Sequence, residues 1–141
     1  MKYRLMILSF FLAPFCYSQY SDNADQVFSQ SRLLSKPVLL IFSGSDWCQP
    51  CIRFEKKILT DSTFMTFSHT SLLVLTADFP QRKKQSPSLI GQNEQLAKMY
   101  NPHGLFPYMV LLNPDKKIIH VIAYNNQDAV SFINLIRGYF K

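Results

Sequence analysis

The chain is poor in cysteine, with three in 141 residues, and these are not spread as the distant pairs with which exported proteins usually staple themselves. It has no internal repeat and no low-complexity segment, which excludes a solenoid, an array or a biased linker. Its longest apolar stretch, Leu5 to Ala13, is broken by Pro14, short of the about 20 residues a membrane-spanning helix needs. Charge is not concentrated either: the formal net charge is +6, too diffuse to argue for nucleic acid. What is abundant is apolar surface. Hydrophobic residues make up 48% and aromatics 14% of the chain, enough to bury the core of one domain and to exclude disorder.

The N-terminus reads as a secretory leader. Lys2 and Arg4 precede the apolar stretch, and Cys16-Tyr17-Ser18 places small residues three and one positions before a cut. The expectation is a signal peptide over residues 1–18 and an exported, periplasmic domain over residues 19–141. An uncleaved anchor is the alternative; a lipid anchor on Cys16 is disfavoured by Pro14 and Phe15. Removal of the leader leaves 13 basic against 9 acidic residues. It also removes Cys16, so only Cys48 and Cys51 remain.

Those two lie in Trp47-Cys48-Gln49-Pro50-Cys51, between the apolar run Val38–Phe42 and a segment of helical spacing. A thiolate at a helix N-terminus gains from unpaired backbone N–H groups and the helix dipole. Three uses suit such a pair: half a zinc site, a short staple, or redox exchange. A bridge between residues three apart closes a very small loop and removes little entropy from the unfolded chain. Structural zinc wants four ligands, and His69, His103 and His120 show no ligand spacing. Redox work is the better explanation.

The remaining pattern predicts a helix over 21–35 capped by Ser21 or Asp22 and ended at Lys36-Pro37. A strand at 38–42 covered on both faces follows, then an amphipathic helix from Gln49 to about Thr60. A short helical piece around Phe64–Phe67, a strand at 72–77, a polar loop through Arg82-Lys83-Lys84 and a helix ending near Tyr100 come next. The basic run reads as a solvated loop rather than an anionic partner site. Strands at 108–112 and 118–123, joined by Asn113-Pro114-Asp115-Lys116-Lys117, form an antiparallel hairpin, and a closing helix lies within 126–140. The long crossover between the first two strands implies parallel pairing.

This order, with Trp-Cys-x-x-Cys after the first strand and Pro107 opening the hairpin, resembles the thioredoxin family across nearly the whole of 19–141. Lys36-Pro37-Val38 through Cys48, then Phe54-Glu55-Lys56, is most similar to exported thiol:disulfide interchange domains. The resemblance implies an α/β, thioredoxin-like fold: a single domain with a four-stranded mixed sheet in the order 2-1-3-4, flanked by helices. It implies that Cys48 attacks and Cys51 resolves in thiol–disulfide exchange. Trp47, Phe106 and Pro107, a cis-proline, bind substrate, and Gln49 and Pro50 form the active-site turn. No metal or other cofactor is implied beyond the cysteine pair. Protein thiols and disulfides are the expected partners, with a membrane thiol:disulfide interchange protein as electron donor and the chain a monomer. A copper chaperone or peptide-binding module using the same pair is the alternative.

Two departures stand out. The family's buried carboxylate on the strand before the motif has no counterpart in Leu40-Ile41-Phe42; Asp46 is nearby but is expected to cap the helix or face solvent. The stretch from Phe79 to Ser88 is longer than a minimal thioredoxin needs. Tyr108 is expected in the core, His103 in an exposed loop and His120 on a strand face.

Overall fold

A computed structural model describes residues 20–140; the leader expected over residues 1–18 lies outside them. The elements are β1 (Tyr20–Ser21), α1 (Ala24–Leu34), β2 (Val38–Ser43), α2 (Gln49–Phe54, continued by a π-helical turn over Glu55–Leu59), α3 (Ser62–Ser71), β3 (Leu73–Asp78), α4 (Pro87–Tyr100), β4 (Tyr108–Leu112), β5 (Ile118–Ile122) and α5 (Ala129–Arg137). No described helix is long and apolar enough to cross a membrane.

The sheet order is β1-β3-β2-β4-β5. β2 pairs parallel with β3 and antiparallel with β4, and β4 pairs antiparallel with β5. The expected four-stranded order is therefore present, and β1 adds a fifth strand at the edge, parallel to β3 through Tyr20↔Val74 and Ser21↔Leu75. Two residues carry no readable alternation, which is why the sequence pattern assigned Ser21 to a helix. The helix starts later: Asn23 is its N-cap, with its side chain accepting the Gln26 N–H, and Ser21 instead accepts the Asn23 N–H. Ser35 closes α1 in the left-handed region at φ 52°, before Pro37 begins the extended chain.

β2 is central, and its apolar residues Val38–Phe42 are all buried. Alternate side chains go to opposite faces. Leu39 and Ile41 join Val74, Met109 and Leu111 beneath α2, α3 and α5, where Phe54, Phe64 and Phe132 meet edge-on or tilted. Val38, Leu40 and Phe42 join Leu75 and Val110 beneath α1 and α4, against Val27, Phe28 and Leu96. Burying both faces fixes the register, because a one-residue slip would exchange the two cores.

That register brings three chain segments to one end of the sheet. Ser43, the last residue of β2, lies opposite Asp78, the last of β3, and Phe42 lies opposite Tyr108, the first of β4. The cysteine turn, the β3–α4 loop and Phe106-Pro107 all emerge there. Tyr108, expected in the core, is only half-buried: it packs on Phe42 at the edge of the second core. His120 is on the exposed strand β5 and stacks on Tyr139.

Candidate functional site

Gly44 begins the turn into the cysteines: its carbonyl accepts the N–H groups of Trp47 at 3.2 Å and Cys48 at 2.8 Å. Cys48 is the N-cap of α2, in extended conformation, and its sulfur accepts the Cys51 N–H at 3.3 Å. Pro50 lies in the first turn, where its missing N–H costs the helix nothing. Cys48 and Cys51 are joined as a disulfide with Cα atoms 5.2 Å apart, inside the usual span for such bonds. Their exposures are 5% and 3%, so accessibility in the bridged state does not separate them. Position does: only Cys48 is the cap. Gln49 and Pro50 are exposed beside it.

Trp47 is half-buried and held at two points. Its indole N–H donates to the Phe79 carbonyl at 2.8 Å, and its ring meets Phe106 edge-on at 5.4 Å. Gly44 makes room for it, since a Cβ there would lie 2.3 Å from Trp47 Cε2. Phe106 precedes Pro107 across a cis peptide bond. The loop before it is fixed by buried Asn101, whose amide accepts the Leu105 N–H at 3.0 Å and donates to the Leu105 carbonyl at 2.9 Å. Gly104 supplies the positive φ of 61° that the bend requires. His103 is exposed.

The structure corrects the reading of Asp46. It neither caps α2 nor simply faces solvent: its carboxylate accepts the N–H groups of Gln81 at 2.9 Å, Arg82 at 2.7 Å and Lys83 at 3.0 Å. The bond from Gln81, followed by those from Arg82 and Lys83 and the Lys83 charge, holds its carboxyl below the ordinary carboxylate range. The loop is also shorter than expected, because Ser86 caps α4 through the Leu89 N–H and Pro87 is already helical.

Acidic groups from outside β2 share a cavity with Cys51. A cavity of about 300 Å³ is lined by Cys51, Ile41, Ser43, Glu55 and Asp78, among others. Asp78 accepts the Ser45 N–H at 2.8 Å and its hydroxyl at 2.6 Å. Its backbone carbonyl accepts from the side chains of Gln85 and buried Asn93. A search confined to the strand before the motif misses Asp78. The signal for it is the acid ending the next apolar strand, once that strand is paired in register with β2. Among the described residues no group of three or more His, Cys, Asp or Glu side chains is placed to hold a metal ion.

A disulfide pair three residues apart whose first cysteine caps a helix, on a mixed sheet with a cis-proline loop at the same end, defines a thiol–disulfide oxidoreductase scaffold. Residues 19–114 match a family described as thioredoxin-like. The chain belongs to that family. It is 28% identical over 120 residues to the disulfide bond reductase DsbH of Chlamydia pneumoniae, covering 85% of this chain and 72% of that one. It is 27% identical over 98 residues to the thioredoxin-related protein DsbJ of the same organism, covering 70% of this chain but only 28% of that protein's length. A solved structure of a DsbH oxidoreductase superposes with a TM-score of 0.79 at 24% identity, covering 90% of this chain and 88% of that one. The thiol–disulfide oxidoreductase class thus rests on homology together with the cysteine pair.

Proposed function

We propose that this protein is an exported, periplasmic enzyme that reduces disulfides in protein substrates, with Cys48 attacking and Cys51 resolving. The observation that carries the exchange reading, with Cys48 as the attacking thiol, is the position of Cys48 as the cap of α2, with the Cys51 N–H directed at its sulfur. A negative sulfur there keeps that bond and faces the positive end of the helix, so the thiolate is favoured over the thiol. The Cys48 thiolate attacks one sulfur of the substrate disulfide; that S–S bond breaks, the first substrate thiolate leaves and a mixed disulfide forms. Cys51 then loses its proton and attacks Cys48 Sγ, releasing the second substrate thiolate and closing Cys48–Cys51. Two electrons pass to the substrate. Asp78, in the cavity that Cys51 lines, is the acceptor we assign to the Cys51 proton.

Trp47, Phe106 and Pro107 form the substrate shelf, with Gln49 and Pro50 as the exposed turn over which substrate approaches. An extended substrate segment pairs with the backbone at Phe106 in the manner of an added strand. The reductive direction is supported by the kinship with a protein named a disulfide bond reductase. The cycle then needs a dithiol donor, for which a membrane thiol:disulfide interchange protein has the right chemistry. Export rests on the leader pattern of residues 1–18. The test is insulin reduction driven by dithiothreitol: the wild-type chain accelerates precipitation of the insulin B chain and Cys48→Ser does not. An inactive wild type overturns the reading.

A further inference from the structure

The loop between β3 and α4 carries Arg82, Lys83 and Lys84, all exposed, and the side chains of Arg82 and Lys84 are not what holds it. Backbone groups do that. Asp46 accepts three consecutive N–H groups from Gln81 to Lys83, and the Phe79 carbonyl accepts the Trp47 indole N–H. The Phe79 ring packs on Phe42 at 6.5 Å and Phe106 at 5.5 Å. Other side chains at 82 and 84 would leave every one of these contacts in place.

The charges of Arg82 and Lys84 are also unspent. The Lys83 ammonium turns toward Ser45 Oγ at 3.4 Å and acts on Asp46. Arg82 and Lys84 have no side-chain hydrogen bond or ion pair among the described residues. The nearby acids are engaged, Asp46 by the loop amides and Asp78 by Ser45. A merely solvated loop has no need to be anchored to the residue two before Cys48. Here the loop that carries this unpaired cationic pair is anchored at the sheet end where Phe106-Pro107 and the cysteine turn emerge.

We propose that Arg82 and Lys84 dock an acidic segment beside the substrate disulfide, so that the preferred substrates are proteins with Asp or Glu flanking the cysteine that Cys48 attacks. This rests on the exchange reading above. Exposed pairs of this kind contribute little binding energy singly but steer encounter and select partners.

The test uses three disulfide peptides of one sequence, with Asp, Ser or Lys flanking the cysteine. The expected kcat/KM at low salt is about fivefold higher for the Asp peptide than for the Ser peptide, with the Lys peptide slowest. That order collapses in Arg82→Gln/Lys84→Gln and in about 0.5 M salt, while reduction of uncharged bis(hydroxyethyl) disulfide is the same in both proteins. Equal rates for the three peptides, or an order that survives the double substitution, overturn the proposal. Fluorescence anisotropy of cysteine-free peptides on the oxidised wild-type protein reads docking apart from chemistry. Preferential binding of the Asp peptide, weakened in the double variant, supports the proposal, and equal binding of all three refutes it. Failure to reduce bis(hydroxyethyl) disulfide would instead refute the exchange reading.

Discussion

Gly44→Ala is a sharp probe of how the site is assembled. The new Cβ would sit 2.3 Å from Trp47 Cε2 and 2.6 Å from both Cζ2 and Nε1. Restoring ordinary contact requires the indole to move by about 1 Å, as close packing tolerates no such overlap. The indole is not free to move without loss. It would give up its 2.8 Å bond to the Phe79 carbonyl or its edge-on contact with Phe106, each worth about 1 kcal/mol. If it stays, the overpacked turn costs about 1–3 kcal/mol. The two routes span about 1–3 kcal/mol, or a fall of about 0.5–1.5 M in the urea midpoint at an m-value of about 2 kcal/mol/M. The chain has a single tryptophan, so its emission follows both the local displacement and global unfolding. The double-mutant cycle with Trp47→Phe separates this clash from other effects: in that background Gly44→Ala costs less than half as much. An unchanged midpoint and emission in Gly44→Ala, or an equal cost with and without the indole, would refute the reasoning.

Acid should release the β3–α4 loop. The folded-state pKa of Asp46 lies below its ordinary value because of the bonds from Gln81, Arg82 and Lys83, so its contribution is complete above about pH 3.9 and fades as pH falls through the lowered value. Amide resonances of Gln81 to Lys83 followed by NMR should titrate with a midpoint below 3.9; a midpoint at or above it contradicts the bonding. Asn101→Ala strips the loop before Phe106 of both bonds to Leu105, leaving backbone groups short of partners at a cost of about 2 kcal/mol; an unchanged denaturation midpoint would count against the clamp. Asp78→Asn removes the assigned proton acceptor and should slow release of the mixed disulfide by about tenfold or more, seen as its accumulation by mass spectrometry after acid quench. Resolution at the wild-type rate would exclude Asp78 from that role.

The parts of the fold legible in the sequence are those whose pattern is local. Val38–Phe42 is uninterrupted apolar sequence because both faces of β2 are covered, and Asn113–Lys117 is turn chemistry between two apolar runs. Together these give the order of four strands. β1 is illegible because two residues have no period, and the cap of α1 shifts to Asn23 because Ser21 is taken into that strand. At the site, Cys48 and Cys51 announce themselves by spacing and by the scarcity of other cysteines. Asp46, Asp78 and Asn101 do not, since the partners of Asp46 are 35 to 37 residues away and Asp78 reaches the cavity only through the register of β3 on β2. The helix-capping role suggested for Asp46 fails for the same reason: the nearest donors in sequence are not its nearest donors in space.

For the Cys48–Cys51 pair to work as a reductant, the α2 cap has to favour the Cys48 thiolate only mildly, since strong stabilisation of the reduced form makes an oxidant. The most direct test is the redox potential of that couple, from its equilibrium with defined dithiothreitol mixtures by thiol-alkylation mass spectrometry. A value near about −270 mV, typical of a thioredoxin, is predicted; a value near about −120 mV, typical of a strong oxidant, would contradict the reductant role.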